Sequence, residues 1–293
     1  MTNKVTLGTT RVKLLIRLNL LAALLHLVLA IVTGVLGNLN LRPPIYTTKN
    51  TFVYNSSSTG FELIPRFEKT GGFPVTALTV AFFTITSFFH LSNIIAWPKV
   101  YFGYLERCQT PSRWAEYLIT ASIMASVLSF LTGQRDAMMI ANTTGLISTT
   151  MLFGYLSERF NRPRNGGDAW ETSSFFERSI PHFCGYVPYI FAWTAILYSF
   201  FGGGGTCAAP KWVWAIIIAQ LVLFSLFIFP QLYQLYNPPK KFVRGEVAFI
   251  ILSFVSKAVL GIILLVGGLT KENFDAFDNL DRNTTNCDIV DIA

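Results

Sequence analysis

The sequence predicts an all-α membrane protein, a bundle of seven transmembrane helices forming one domain over 1–293. Three observations carry that prediction. The chain is 52% hydrophobic and 15% aromatic over 293 residues, with a mean hydropathy of +0.47. Only 13% of residues are charged, about half the share of a soluble domain. The apolar residues also gather into runs of about 20 or more, enough to cross a hydrocarbon core of about 30 Å at about 1.5 Å per residue. This composition excludes disorder, coiled coil and collagen and argues against a water-soluble enzyme. The net charge of +7 is spread over short loops, so it reads as membrane topology. Lipid is the expected surrounding, and no nucleic-acid partner is expected.

The spans fall at 12–36, 74–97, 112–133, 137–157, 180–201, 211–236 and 246–268. The first follows a short charged tail with Lys4, Arg11, Lys13 and Arg17. It is too long for a signal peptide and has no small-residue cleavage site, so it is expected to be retained. The third and fourth are the least apolar. Connections are short except for 38–73, which holds Pro43–Pro44, a serine run at 56–58 and Gly71–Gly72. Its alternation is weak but compatible with a short hairpin. The tail 269–293 is polar and acidic.

Orientation follows from Lys and Arg. The N-terminal tail and the even-numbered loops hold 14, the other side holds 8, and Lys257 lies within the seventh span. The richer side is expected to be cytoplasmic, with the N-terminus inside and the C-terminus outside. Sequons at Asn55 and Asn283 then fall outside, as do Cys207 and Cys287, where a disulfide could persist.

Lys257 is the sharpest feature. It lies in VAFIILSFVSKAVLGIILLVGG, about 20 Å by helical rise from Arg244 and about 16 Å from Gly268. A lysine cannot reach either surface from there, and a buried ammonium is costly unless paired or neutralised. It is either a structural ion pair or neutral amine, or an amine held for imine formation with a carbonyl ligand. Glu116 is the acidic residue clearly inside a span, and its expected partner. A depth difference of about 9 Å separates the two by rise, which the tilt of Lys257 toward its helix N-terminus narrows. The alternative is pairing of Glu116 with Arg113. His26 and His90 sit in the first two spans, either as neutral packing residues or in a polar cavity with Glu116 and Lys257. Ser253 lies on the face of Lys257, one turn earlier. It bonds either the charged pair or its own helix carbonyl. No metal-ligand spacing, phosphate-cradling glycine motif or nucleophile–His–Asp set is present.

Three segments make the pattern specific: RWAEY at 113–117, LFGYLSERF at 152–160 and RGEVAFIILSFVSK at 244–257. With the cytoplasmic N-terminus, the chain resembles the heliorhodopsin family over nearly its whole length, a bundle of rhodopsin type with inverted orientation. The resemblance implies all-trans retinal on Lys257 as a protonated Schiff base, with Glu116 as counterion. It places Ser253 one turn before the lysine and His26 and His90 in a proton network on the cytoplasmic side. It also implies that Tyr117, Met124 and Phe224 line the retinal, and that the protein is a homodimer to which a hairpin in the first extracellular loop contributes. The longer first loop, the longer tail and Pro230 in the sixth span depart from the family pattern.

Light sensing without net pumping is the expected function, read by an unidentified signalling partner. Val127 is apolar three turns beyond Glu116, and between the two faces the sequence offers one carboxylate and two histidines besides the lysine. The alternatives are a light-gated proton or cation conductor using serine and threonine hydroxyls, and a receptor or transporter in which Lys257 and Glu116 are structural.

Overall fold

The computed structural model describes residues 7–270 apart from 56–59, 162, 165–166, 169–172 and 203–208. Cys207, Cys287 and Asn283, and the 271–293 part of the tail, lie outside the described residues, as does the side chain of Asn55.

Helix α1, Thr9–Leu36, ends where Gly37 turns into extended backbone. A Cβ at Gly37 would meet Thr33 O at 2.6 Å and the Thr76 methyl at 2.8 Å, so glycine is required for the close approach of α1 to its neighbour. The long connection is a two-stranded antiparallel hairpin, β1 (Pro44–Asn55) and β2 (Gly60–Gly72). Its register runs from Pro44↔Gly72 to Asn55↔Gly60, with an irregularity between Ile45 and Tyr46. The hairpin is longer than its weak alternation suggested.

Helix α2 spans Val75–Ile94, short of the expected end at Trp97. Pro98 disfavours helical backbone in the residue before it and lacks an N–H, so a new short helix, α3 (Pro98–Leu105), starts there. Helix α4, Pro111–Leu131, also begins on a proline. Gly133, at φ +94°, lets the chain reverse into α5, Ala137–Phe160, whose first amides at Met138 and Met139 are capped by Asp136 Oδ1 at 2.9 and 3.0 Å. Helix α6 runs Phe175–Gly202 with Pro181 and Pro188 inside it. The two-residue strands β3 (Pro163–Arg164) and β4 (Gly167–Asp168) pair between α5 and α6.

The sixth span is not one helix. It divides into α7 (Lys211–Leu226) and α8 (Ile228–Tyr236) at Phe227. Pro230 explains the break: it donates no bond to the carbonyl four residues back, that of Leu226, and its ring crowds it. The seventh span starts earlier than expected, as α9 over Pro238–Leu264, and closes in a π-turn, Leu265–Leu269. The fourth span extends to Phe160 and the fifth begins at Phe175, each several residues beyond its expected bound.

Six helical spans among the described residues are long and apolar enough to cross a membrane. Helix α5 is not among them by hydropathy, although its 24 residues suffice in length. Its polarity comes from hydroxyls that return to their own helix: Thr143 to Met139 O, Thr144 to Ile140 O, Ser148 to Thr144 O, Thr149 to Gly145 O and Thr150 to Leu146 O, all at 2.7–3.1 Å. Satisfied in this way, they are compatible with a bilayer. Packing runs around a ring, α1–α2–α4–α5–α6–α7/α8–α9 and back to α1. Phe82, Phe83, Met124, Leu128, Ile147, Ile196, Ile216 and Leu260 fill its interior, each under 2% exposed or nearly so. The Gly37↔Thr270 bridge joins the ends of α1 and the final turn at the hairpin end of the bundle.

Candidate functional site

The ring of helices brings Lys257 and Glu116 together. Lys257 Nζ donates to Glu116 Oε1, and also to Ser253 Oγ at 3.0 Å. Both charged side chains are buried, at 3% and 4% exposure. The difference in depth read from the sequence is therefore closed by direct contact. The Tyr117 ring adds a face to the ammonium, with its centroid 5.2 Å from Nζ. Glu116 does not pair with Arg113, because Arg113 is committed elsewhere.

Behind Glu116 lie the two histidines. His90 Nε2 is 4.0 Å from Glu116 Oε2, and the rings of His26 and His90 stack at 6.1 Å and 13°. Their neighbours fix which nitrogen carries hydrogen when the rings are neutral. His26 Nδ1 faces the Ala22 carbonyl at 2.7 Å, which can only accept. Asn19 Nδ2 donates to Leu15 O at 2.9 Å, so Asn19 Oδ1 is the atom 2.8 Å from His90 Nδ1. Both histidines thus carry hydrogen on Nδ1 and keep an Nε2 lone pair. Neither Nε2 has a hydrogen-bond partner among the described residues.

From Asn19 the polar chain continues. Asn19 Nδ2 lies 3.5 Å from Tyr101 Oη, and Tyr101 donates to Glu246 Oε1 at 3.2 Å. Glu246 and Glu158 both accept from Arg113, which also donates to Gln234 Oε1 at 3.2 Å. The Thr110 amide donates to Glu158 Oε2 at 2.7 Å and its hydroxyl to Glu246 Oε2 at 3.1 Å. Position near span ends suggested that Glu158 and Glu246 are peripheral. Instead they are 1% and 3% exposed, because α5 and α9 extend past the expected ends and turn them onto Arg113. The sequence-based count of one buried carboxylate and two buried histidines is therefore corrected: Glu158, Glu246 and His182 are also buried. The signal for this cluster was Arg113 itself, one turn from Glu116 in an apolar helix and needing an anion of its own.

On the other side of Lys257 a cavity opens between α4, α5, α6, α7, α8 and α9. Tyr117, Met124, Phe224, Ser253 and Lys257 all line it, together with Trp114, Phe227 and Phe249. His26, His90 and Glu116 do not line it. They form the polar side of the lysine, and the cavity forms its apolar side. Phe249 packs against Trp114, Tyr117 and Phe227 and lies beneath the Arg113 guanidinium, 3.8 Å from its centroid. An aromatic layer thus separates the Arg113 cluster from the Lys257 pair. Gly154 permits that layer, since a Cβ there would run into the Trp114 indole.

The donor set and shape fit retinal. An elongated apolar molecule suits an aromatic-lined cavity, and a primary amine on the wall suits its aldehyde. A buried cation formed there would meet Glu116 at once. No curated protein matches the chain. A family model for heliorhodopsins matches residues 15–269. With its apolar helices closed around a lysine-bearing cavity, this integral, multi-pass membrane protein belongs to the heliorhodopsin family, the light-sensing retinal proteins.

Proposed function

We propose that the protein is a light sensor in which all-trans retinal is joined to Lys257 as a protonated Schiff base, with Glu116 as counterion and without net ion pumping. The observation that carries this reading is the buried contact of Lys257 with Glu116 and Ser253 on the wall of the aromatic cavity. When bound, retinal supplies visible absorption and a light-driven isomerisation. The chain's residues do the rest. Tyr117, Met124 and Phe224 shape the cavity and exclude water. Glu116 balances the positive charge, and Ser253 holds the proton-bearing nitrogen in line with it. His90, with its Nε2 lone pair toward Glu116, is placed to accept a proton when the pair is disturbed, and His26 extends that reservoir.

Among the described residues, the buried groups His90, Glu158, His182 and Glu246 lie toward the end opposite the hairpin, which favours return of a proton over its transfer across. The hydroxyls of Thr143, Thr144, Thr149 and Thr150 on α5, committed to their own carbonyls, favour the sensor over the light-gated conductor. The asymmetry of Lys and Arg supports a cytoplasmic N-terminus. The face of the hairpin bearing Phe52, Tyr54, Phe61, Leu63 and Phe67, exposed at 52–73%, supports a homodimer joined there. Reconstitution with all-trans retinal tests the core of this reading. Wild type is expected to gain a visible band that Lys257→Ala lacks, and a variant that keeps the band ends the reading. Photocurrent at zero voltage and symmetric pH is expected to be nil, since a sustained current means pumping. Terminal epitope tags on intact cells report the orientation, and cross-linking through the hairpin reports the dimer.

A further inference from the structure

The cavity has a polar far end that an unsubstituted hydrocarbon ring would leave unsatisfied. Gln231 is 1% exposed and lines the cavity, and neither its Oε1 nor its Nε2 has a hydrogen-bond partner among the described residues. His182, 7% exposed, lines the same cavity with Nε2 also unpartnered. Buried polar atoms are nearly always hydrogen-bonded, and a side-chain amide with both atoms unpaired is a departure that asks for a ligand.

The two side chains lie at one depth. Tyr189 Oη and Ser225 Oγ are 2.9 Å apart and tie α6 to α7. His182 precedes Tyr189 by seven residues and Gln231 follows Ser225 by six. The helices are antiparallel, so both lie about 9 to 11 Å from that tie, in the same direction. Gln220 Nε2 donates to Ser256 O at 2.9 Å, which sets the level of Lys257 on the same helix pair. Gln231 is eleven residues on, about 16 Å away by rise. An aldehyde held at Lys257 therefore extends its other end toward Gln231 and His182. In a retinoid that end is the ring.

We propose that Gln231 and His182 form a recognition site for an oxygen on the retinoid ring, so that the preferred cofactor is a ring-hydroxylated or ring-keto retinal. The Gln231 amide can donate to such an oxygen and accept from a hydroxyl, and His182 Nε2 supplies a further polar contact. A site built to bond a hydroxyl rejects the analogue lacking it, because its own polar groups are then left unpaired. This inference rests on Lys257 as the attachment point, and the test separates the two.

Apoprotein made without retinoid is offered an equimolar mixture of all-trans retinal and all-trans 3-hydroxyretinal, and in a parallel arm retinal and 4-oxoretinal. The bound retinoid is released with hydroxylamine and identified by chromatography of the oximes. Wild type is expected to enrich at least one oxygenated form about tenfold over retinal, which converts to about 1.4 kcal/mol. In the retinoid that Gln231→Leu takes up the enrichment should be lost, and His182→Phe should reduce it. Uptake by wild type in the supplied ratio in both arms overturns the proposal and leaves the retinal reading standing. Enrichment that persists in Gln231→Leu and His182→Phe also overturns it. No uptake of any retinoid by wild type overturns the retinal reading and the proposal with it.

Discussion

Arg113 is the residue whose loss the structure predicts most sharply. Its guanidinium serves both Glu158 on α5 and Glu246 on α9, with Gln234 on α8 as a third acceptor. All three charged side chains are at most 4% exposed. Arg113→Met keeps the stem volume but leaves two buried carboxylates facing each other unpaired. Breaking a buried pair in this way costs about 3 to 5 kcal/mol. For a chain of this size the corresponding fall in melting temperature is about 6 to 20 °C. The assay is thermal unfolding in detergent followed by tryptophan fluorescence at one scan rate. A second variant identifies the cause. Arg113→Met combined with Glu158→Gln and Glu246→Gln removes the stranded charge and should recover at least about half of the loss. Arg113→Met melting within about 2 °C of wild type would refute the reasoning, as would a triple variant no more stable than the single one.

Glu116→Gln removes the anion beside Lys257, so the retinal-loaded protein is expected to shift from a visible band to a near-ultraviolet, unprotonated form at neutral pH. Chloride-free buffer excludes a substitute anion, and titration like wild type in both buffers would reject Glu116 as counterion. At the hairpin end, burial alone would raise the Asp136 carboxyl. The Thr48 hydroxyl and the amides of Met139, Thr48 and Met138 outweigh that and hold it below the usual carboxylate range. A carboxylate lowered in the folded state contributes stability above its unfolded value near 3.9 and loses it as pH falls through the lower folded value. Anchoring of β1 should therefore be constant from neutral pH to about 4 and weaken below. The measure is intrinsic-rate-corrected amide exchange at Thr48. Asp136→Ala should show low protection at every pH, and a wild type protected equally at pH 2 and pH 6 would contradict this origin of the anchor.

The Lys257–Glu116 pair was legible in the sequence for a simple reason: an ionisable residue in mid-span has no cheap explanation except a partner. Six of the seven spans were legible as runs of apolar residues, while the fourth was the more polar α5, and the ends were not legible. Proline chemistry set several of those ends, at Pro98, Pro111 and Pro238, and Pro230 divided a span that hydropathy reads as continuous. The Arg113 cluster escaped because hydropathy cannot tell a charge that faces water from one at the same depth that faces inward. Glu158 and Glu246 differ from surface residues only in the face they occupy. Gln231 and His182 escaped for a related reason. A single glutamine or histidine in an apolar helix is unremarkable until its neighbours are known to leave it unpaired.

The Asn19 amide has a consequence for how far a proton can travel. In the series from His90 through Asn19 and Tyr101 to Glu246, each donor points toward Glu246. Imidazole, phenol and carboxyl can each take up one proton and release another. A carboxamide cannot do so without passing through a high-energy imidic form. The series is therefore continuous for polarisation and interrupted for matter. Charge arriving at His90 strengthens every bond downstream and is felt at Glu246 and Arg113, where three helices meet, yet the proton itself stays where it landed. Such an insulated conductor of electric field can carry the effect of an event at Lys257 to the buried Arg113 cluster without a proton moving along this series.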